Sequence, residues 1–92
     1  MDKSISSQQY KVFLAELRAA RERKGITQVD LAARLGETQS FVSKCERGER
    51  RLDIVEVRAF CQALEIFFPT FTKNLDRVLS AAAERNVGRK RT

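Results

Sequence analysis

The chain has 92 residues, with 18 Lys+Arg against 12 Asp+Glu, no His and a formal net charge of +6. That length allows a single domain with a modest core, and the positive balance draws the chain to polyanions, either nucleic acid or an acidic membrane surface. Apolar runs such as Ile66, Phe67 and Phe68 fall far short of the roughly 18 residues of a spanning helix, and no signal-peptide pattern opens the chain, so a soluble, cytoplasmic protein is expected.

One Pro, four Gly and apolar residues recurring at helical spacing in segment after segment predict an all-α fold. Ser6 and Gln9 form an S-x-x-Q capping box, which predicts a first helix from about Ser6 to Lys24 that buries Tyr10, Phe13, Leu14, Leu17 and Ala20. Gly25 ends it. Thr27 caps a short second helix through Leu35, with Leu31, Ala32 and Leu35 inward, and Gly36 supplies a left-handed turn. Thr38 caps a third helix that reaches about Arg47 and stops near Gly48, with Val42 and Cys45 inward.

A charged loop, Gly48-Glu49-Arg50-Arg51, leads to Asp53, which caps a fourth helix carrying Ile54, Val57, Phe60, Cys61 and Leu64 at core spacing. Pro69 suits the first turn of a fifth helix, whose apolar stripe is Phe71, Leu75, Val78, Leu79 and Ala82 and whose end is expected at about Glu84. Residues from about 85 to 92 read as a basic, frayed tail, either trailing along phosphates or simply solubilising. Cys45 and Cys61 lack metal-ligand spacing and have no histidine to join them. Both read as reduced core residues, with a redox switch as the alternative.

Residues 28 to 47, QVDLAARLGETQSFVSKCER, combine a short helix, a tight glycine turn and a second helix, which is a helix-turn-helix pattern. Ala32 lets the helices approach, and Gly36 takes the positive φ the turn needs. Stepping 100° per residue along the third helix gathers Ser40, Ser43, Lys44 and Arg47 opposite Val42 and Cys45, with Gln39 and Phe41 flanking. Gln39 suits bidentate pairing with adenine, Lys44 suits guanine, and Phe41 can lie against a thymine methyl. The same residue types also make an ordinary solvated helix face. Arg47, Arg50 and Arg51 flank this face, where cations contact phosphates without reading sequence.

In these residues the chain closely resembles the Cro and phage-repressor helix-turn-helix family, the xenobiotic-response-element group of bacterial and phage regulators. The resemblance covers roughly residues 11 to 66. It rests on Leu17-Arg18 and Arg21, on GITQVDLAARLGETQSFVSKCERGERRLD, and on Ala63-Leu64-Glu65-Ile66. It implies a compact five-helix, lambda-repressor-like domain whose third helix reads the major groove through Gln39, Ser40, Ser43 and Lys44. It also implies that Gln28 binds a phosphate and braces Gln39, and that Arg21 pairs with Glu46. Thr38 joins Gln28 and the three arginines as an expected phosphate contact. Cys45 stands where the family more often has a larger apolar residue, and Glu65 where it commonly has glycine.

Phe67, Phe68 and Phe71, followed by Leu75 and Leu79, supply either a homodimer interface or additional core packing. A dimer built there would set two recognition helices one DNA turn apart, roughly 34 Å, on a palindromic operator. With no His, no phosphate-cradling glycine loop and no carboxylate or cysteine cluster, no enzymatic activity, metal or cofactor is expected. The functional expectation is a sequence-specific transcriptional repressor acting on double-stranded DNA. The alternative is an antitoxin neutralising a toxin, or a coactivator-type interaction module on the same fold.

Overall fold

The computed structural model describes the backbone of residues 3–91 and the side chains of residues 7–83. Five helices follow one another, α1 (Lys3–Arg23), α2 (Gln28–Leu35), α3 (Gln39–Glu46), α4 (Ile54–Ala63) and α5 (Phe68–Arg91), with no strand among the described residues. The fold is all-α, as the periodicity implies.

Each boundary has a local cause. The Gly25 N–H donates to the Glu22 carbonyl at 2.9 Å and the Ile26 N–H to that of Arg21 at 3.2 Å. This is the closing pair of a Schellman turn, and it requires the left-handed backbone that Gly25 adopts at φ 70°. The same pair recurs after α2, from Gly36 to Ala33 and from Glu37 to Ala32. Thr38 then caps α3 at once, its hydroxyl accepting the Phe41 N–H at 3.0 Å. With so short a link, the angle between α2 and α3 has little freedom.

Thr27 with Asp30 and Asp53 with Glu56 form reciprocal capping boxes at the starts of α2 and α4. At the end of α4 the left-handed position falls to Glu65, at φ 59°, the only described non-glycine residue with positive φ. Two cations brace that turn. Arg34 Nη1 donates to the Ala63 carbonyl at 2.8 Å, and Lys24 Nζ to the Glu65 carbonyl at 3.1 Å.

α2 packs on α3 and α4, α1 on α3 and α5, and α4 on α5. The shared core contains Phe13, Leu14, Leu17 and Ala20 of α1, Leu31 and Ala32 of α2, and Val42 and Cys45 of α3. Val57, Phe60 and Cys61 of α4, with Ile26, Leu64 and Phe71, complete it. Both cysteines are free and buried. Burial pushes both thiols up, Cys61 to about 11, which suppresses the reactive thiolate.

Six sequence expectations shift. α1 begins at Lys3, so Ser6 lies inside the helix and not at its cap; nothing from Lys3 to Gln9 is Pro or Gly to interrupt it. Tyr10 and Leu35 are half-buried at the margin of the core. Ile54 is 64% exposed, because the inward phase of α4 starts a turn later, at Val57. The backbone of α5 stays helical to Arg91, past the expected end at Glu84, since its late residues contain one Gly and no Pro. Phe71 belongs to the core, its ring edge-on to Phe13 at 6.5 Å between centroids, which removes it from the surface that a dimer could use.

No helix among the described residues is long and apolar enough to cross a membrane. Nor do they contain a group of three or more residues able to hold a metal ion.

Candidate nucleic-acid interface

The outward face of α3 is held from behind. Val42 and Cys45 are fully buried, so rotation of the helix about its axis would drag apolar side chains into water. Opposite them Gln39, Ser40, Lys44 and Arg47 are exposed and Ser43 is half-buried. All of these except Gln39 make up the outward set read from the helical phase. Gln39, expected on its flank, stands beside them at the start of the helix.

Behind this face runs a chain of polar contacts linking three helices. Arg21 of α1 forks onto Glu46 of α3, Nε to Oε2 at 2.6 Å and Nη2 to Oε1 at 3.0 Å. Its remaining terminal nitrogen, Nη1, donates to the Ile26 carbonyl at 2.8 Å. The two side chains are 9% and 4% exposed. The hydrogen bond to Glu46 raises the Arg21 pKa above the ordinary arginine value, against the opposing effect of burial. Glu46 Oε1 also accepts from Gln28 Nε2 at 2.9 Å, and Gln28 Oε1 accepts from Gln39 Nε2 at 3.2 Å. Among the described residues no buried side-chain nitrogen or oxygen is left without a partner, as a stable buried polar network requires.

The arginines of the loop after α3 are arranged differently. Arg47 contacts Ser43 Oγ and pairs with Glu49 at 2.8 Å. Arg50 pairs with Glu56 at 2.7 Å, donates to the Arg51 carbonyl at 2.8 Å and lies over the Phe41 ring at 5.0 Å. These contacts lower the Glu49 and Glu56 pKa values, in each case chiefly through the arginine hydrogen bond. Arg51 sits 4.1 Å above the Tyr10 ring, a cation–π contact. The Tyr10 hydroxyl accepts the Leu52 N–H at 3.0 Å, tying the loop to α1.

Phe41 stands apart from the other expected base contacts. Its ring is half-buried, tilted against Phe60 at 6.4 Å and covered by Arg50. This packing sets the ring against Phe60 of α4, half-buried at the edge of the face. Thr38 uses its hydroxyl to cap α3. At the start of α5, Phe67 is 73% exposed, while Phe68, Leu75 and Leu79 are half-buried.

Sequence reasoning missed Tyr10, Glu49 and Glu56 as partners of the loop arginines. The Asp53-x-x-Glu56 capping pattern was a legible sign of Glu56. Nothing local marks Tyr10, which meets the loop only through the fold.

Residues 12–66 match a family model described as a helix-turn-helix domain. Among solved structures, the chain is similar to an XRE-family like protein from Pseudomonas syringae pv. tomato. The two are 42% identical, the match covers 85% of this chain and 98% of that one, and the TM-score is 0.77. The fold is also that of the clp gene regulator ClgR from Corynebacterium glutamicum, at 23% identity, 88% and 87% coverage and a TM-score of 0.70. No curated protein matches the chain.

Proposed function

Since the chain belongs to the XRE-type helix-turn-helix family, we propose that it is a sequence-specific DNA-binding transcriptional regulator, a repressor without catalytic activity. α3 enters the major groove. Gln39, Ser40, Ser43 and Lys44 face base edges, and Gln28, Thr38, Arg47, Arg50 and Arg51 lie toward phosphates. The observation that carries this reading is the polar face of α3, exposed at Gln39, Ser40 and Lys44 and anchored by wholly buried Val42 and Cys45. Base readout needs such a rigid platform, because loosely held side chains would lose the geometry of bidentate pairing.

Two copies bind a palindromic operator, paired through Phe67, Phe68, Leu75 and Leu79. The supporting observation is the 73% exposure of Phe67 beside a half-buried apolar stripe on α5. Light scattering at micromolar concentration, with Phe67→Asp as comparison, checks it. A monomer that stays monomeric on DNA would end the dimer proposal.

The function is tested by selecting bound sequences from a random DNA pool. Affinity for the selected site and for scrambled DNA is then compared as salt rises from about 50 to 200 mM. A palindrome bound about 10³-fold over scrambled DNA, relaxed at one position by Gln39→Ala, supports the repressor reading. Weak, salt-labile, sequence-blind binding would replace it with an interaction module of the antitoxin or coactivator kind.

A further inference from the structure

We infer that Glu46, which touches no base in the proposed complex, is a specificity-determining positioning residue that sets the hydrogen-bond polarity of Gln39 through Gln28. The inference rests on the proposed DNA reading of α3. A carboxylate only accepts hydrogen bonds, and a guanidinium only donates them. Glu46 already receives Arg21 Nε and Nη2, and its side chain is 4% exposed, so the carboxylate has little water to turn to. The Gln28 amide, 2.9 Å away, must therefore present its nitrogen to Glu46 and its oxygen outward.

That orientation propagates. An outward Gln28 oxygen can only accept, so Gln39 must turn its nitrogen to it, at 3.2 Å. Donation through the N–H anti to Oε1 leaves the second N–H and the Oε1 acceptor side by side and free. Adenine presents the complementary pair in the major groove, the N7 acceptor beside the N6 donor. A free glutamine amide turns over easily and is indifferent to which end leads. Here a buried carboxylate two contacts behind the surface removes that choice, so less orientational freedom is lost on binding.

The test is Glu46→Gln, with affinity measured for the selected operator and for each substitution of the base pair opposite Gln39. A glutamine at 46 can either accept from or donate to Gln28, so both amide orientations become allowed. Discrimination at that one base pair should fall about tenfold, from the level a bidentate pair supplies, while preference at the other positions persists. In a Gln39→Ala background the same change should have no further effect at that position. The side-chain amide NMR signals of Gln28 and Gln39 in the free protein should shift, a readout that needs no DNA.

If Glu46→Gln unfolds by stranding Arg21, the Arg21→Met/Glu46→Gln double variant leaves no buried charge and asks the same question. Unchanged discrimination in a folded variant, or a uniform loss across all operator positions, would overturn the inference while leaving the DNA reading intact. A wild-type protein with no base preference anywhere would overturn both.

Discussion

Two clusters of charge meet at the C-terminal end of α3, and they are built on opposite principles. The Arg21–Glu46 pair joins residues far apart in sequence, is nearly excluded from water and has every polar atom engaged. The Arg47–Glu49 and Arg50–Glu56 pairs are more local, with the arginine side chains 54% and 45% exposed. The same functional groups therefore do different work. A buried pair adds little net stability, since desolvation offsets much of the attraction, but it is costly to break, because a lone partner is left desolvated. Exposed pairs trade protein contacts for water with little net change, which leaves their cations available to a polyanion.

The largest effect expected is from Glu46→Ala, which strands Arg21 and should destabilise the fold by about 3 kcal/mol or more in urea unfolding. A loss below about 0.5 kcal/mol would erase the distinction between the two clusters.

Gly48, where α3 enters the exposed loop, sharpens the comparison. It holds φ 81°, and an added Cβ would lie 3.2 Å from Leu14 Cδ1. Gly48→Ala is expected to cost about 1–2 kcal/mol, measured the same way. Such a loss would show that backbone geometry, more than its ion pairs, fixes this loop.

Glu65→Gly probes the other special turn. Relief of the left-handed backbone at φ 59° should stabilise by about 0.5–1 kcal/mol, after the entropy that glycine adds to the unfolded chain. The Arg34–Glu65 pair that disappears is exposed and 3.7 Å long, so its loss is screened by solvent. A fall in melting temperature would mean that the pair matters more than the strain.

The smallest effect concerns acid. Glu49 and Glu56 are held below the ordinary carboxylate range by Arg47 and Arg50. Their contribution to stability is thus present above the unfolded value of about 4.3 and lost as pH falls through the lower folded values. Glu56→Gln should flatten the acid limb of a stability–pH curve slightly. An unchanged slope would place that limb elsewhere in the molecule.

Much of the candidate site was legible because its determinants are short-range. Thr27, Gly36 and Thr38 act on backbone groups within a few residues of themselves, so their spacing in the chain is also their spacing in space. The outward face of α3 followed from helical phase alone. Phase could not assign Phe41, which sits at the edge of that face, half-buried against Phe60. Nor could it separate Phe71, which meets Phe13, from Phe67, which meets nothing comparable and stays exposed. Ile54 was misplaced for a related reason: apolar spacing places residues on a common face but does not tell where along a helix the neighbouring core begins.

The sequence by itself determined the five helices, the tight turn between the second and third, and which side of the third looks outward, since caps, left-handed glycines and periodicity act through the nearest few residues. Only the tertiary structure decided that Gln28 hangs from Glu46, that the loop arginines rest on Glu49, Glu56 and Tyr10, and which aromatics are buried. Except for Glu49 and Glu56, which lie close in the chain to Arg47 and Arg50, these contacts depend on distances between helices, and those are settled by how the whole core closes.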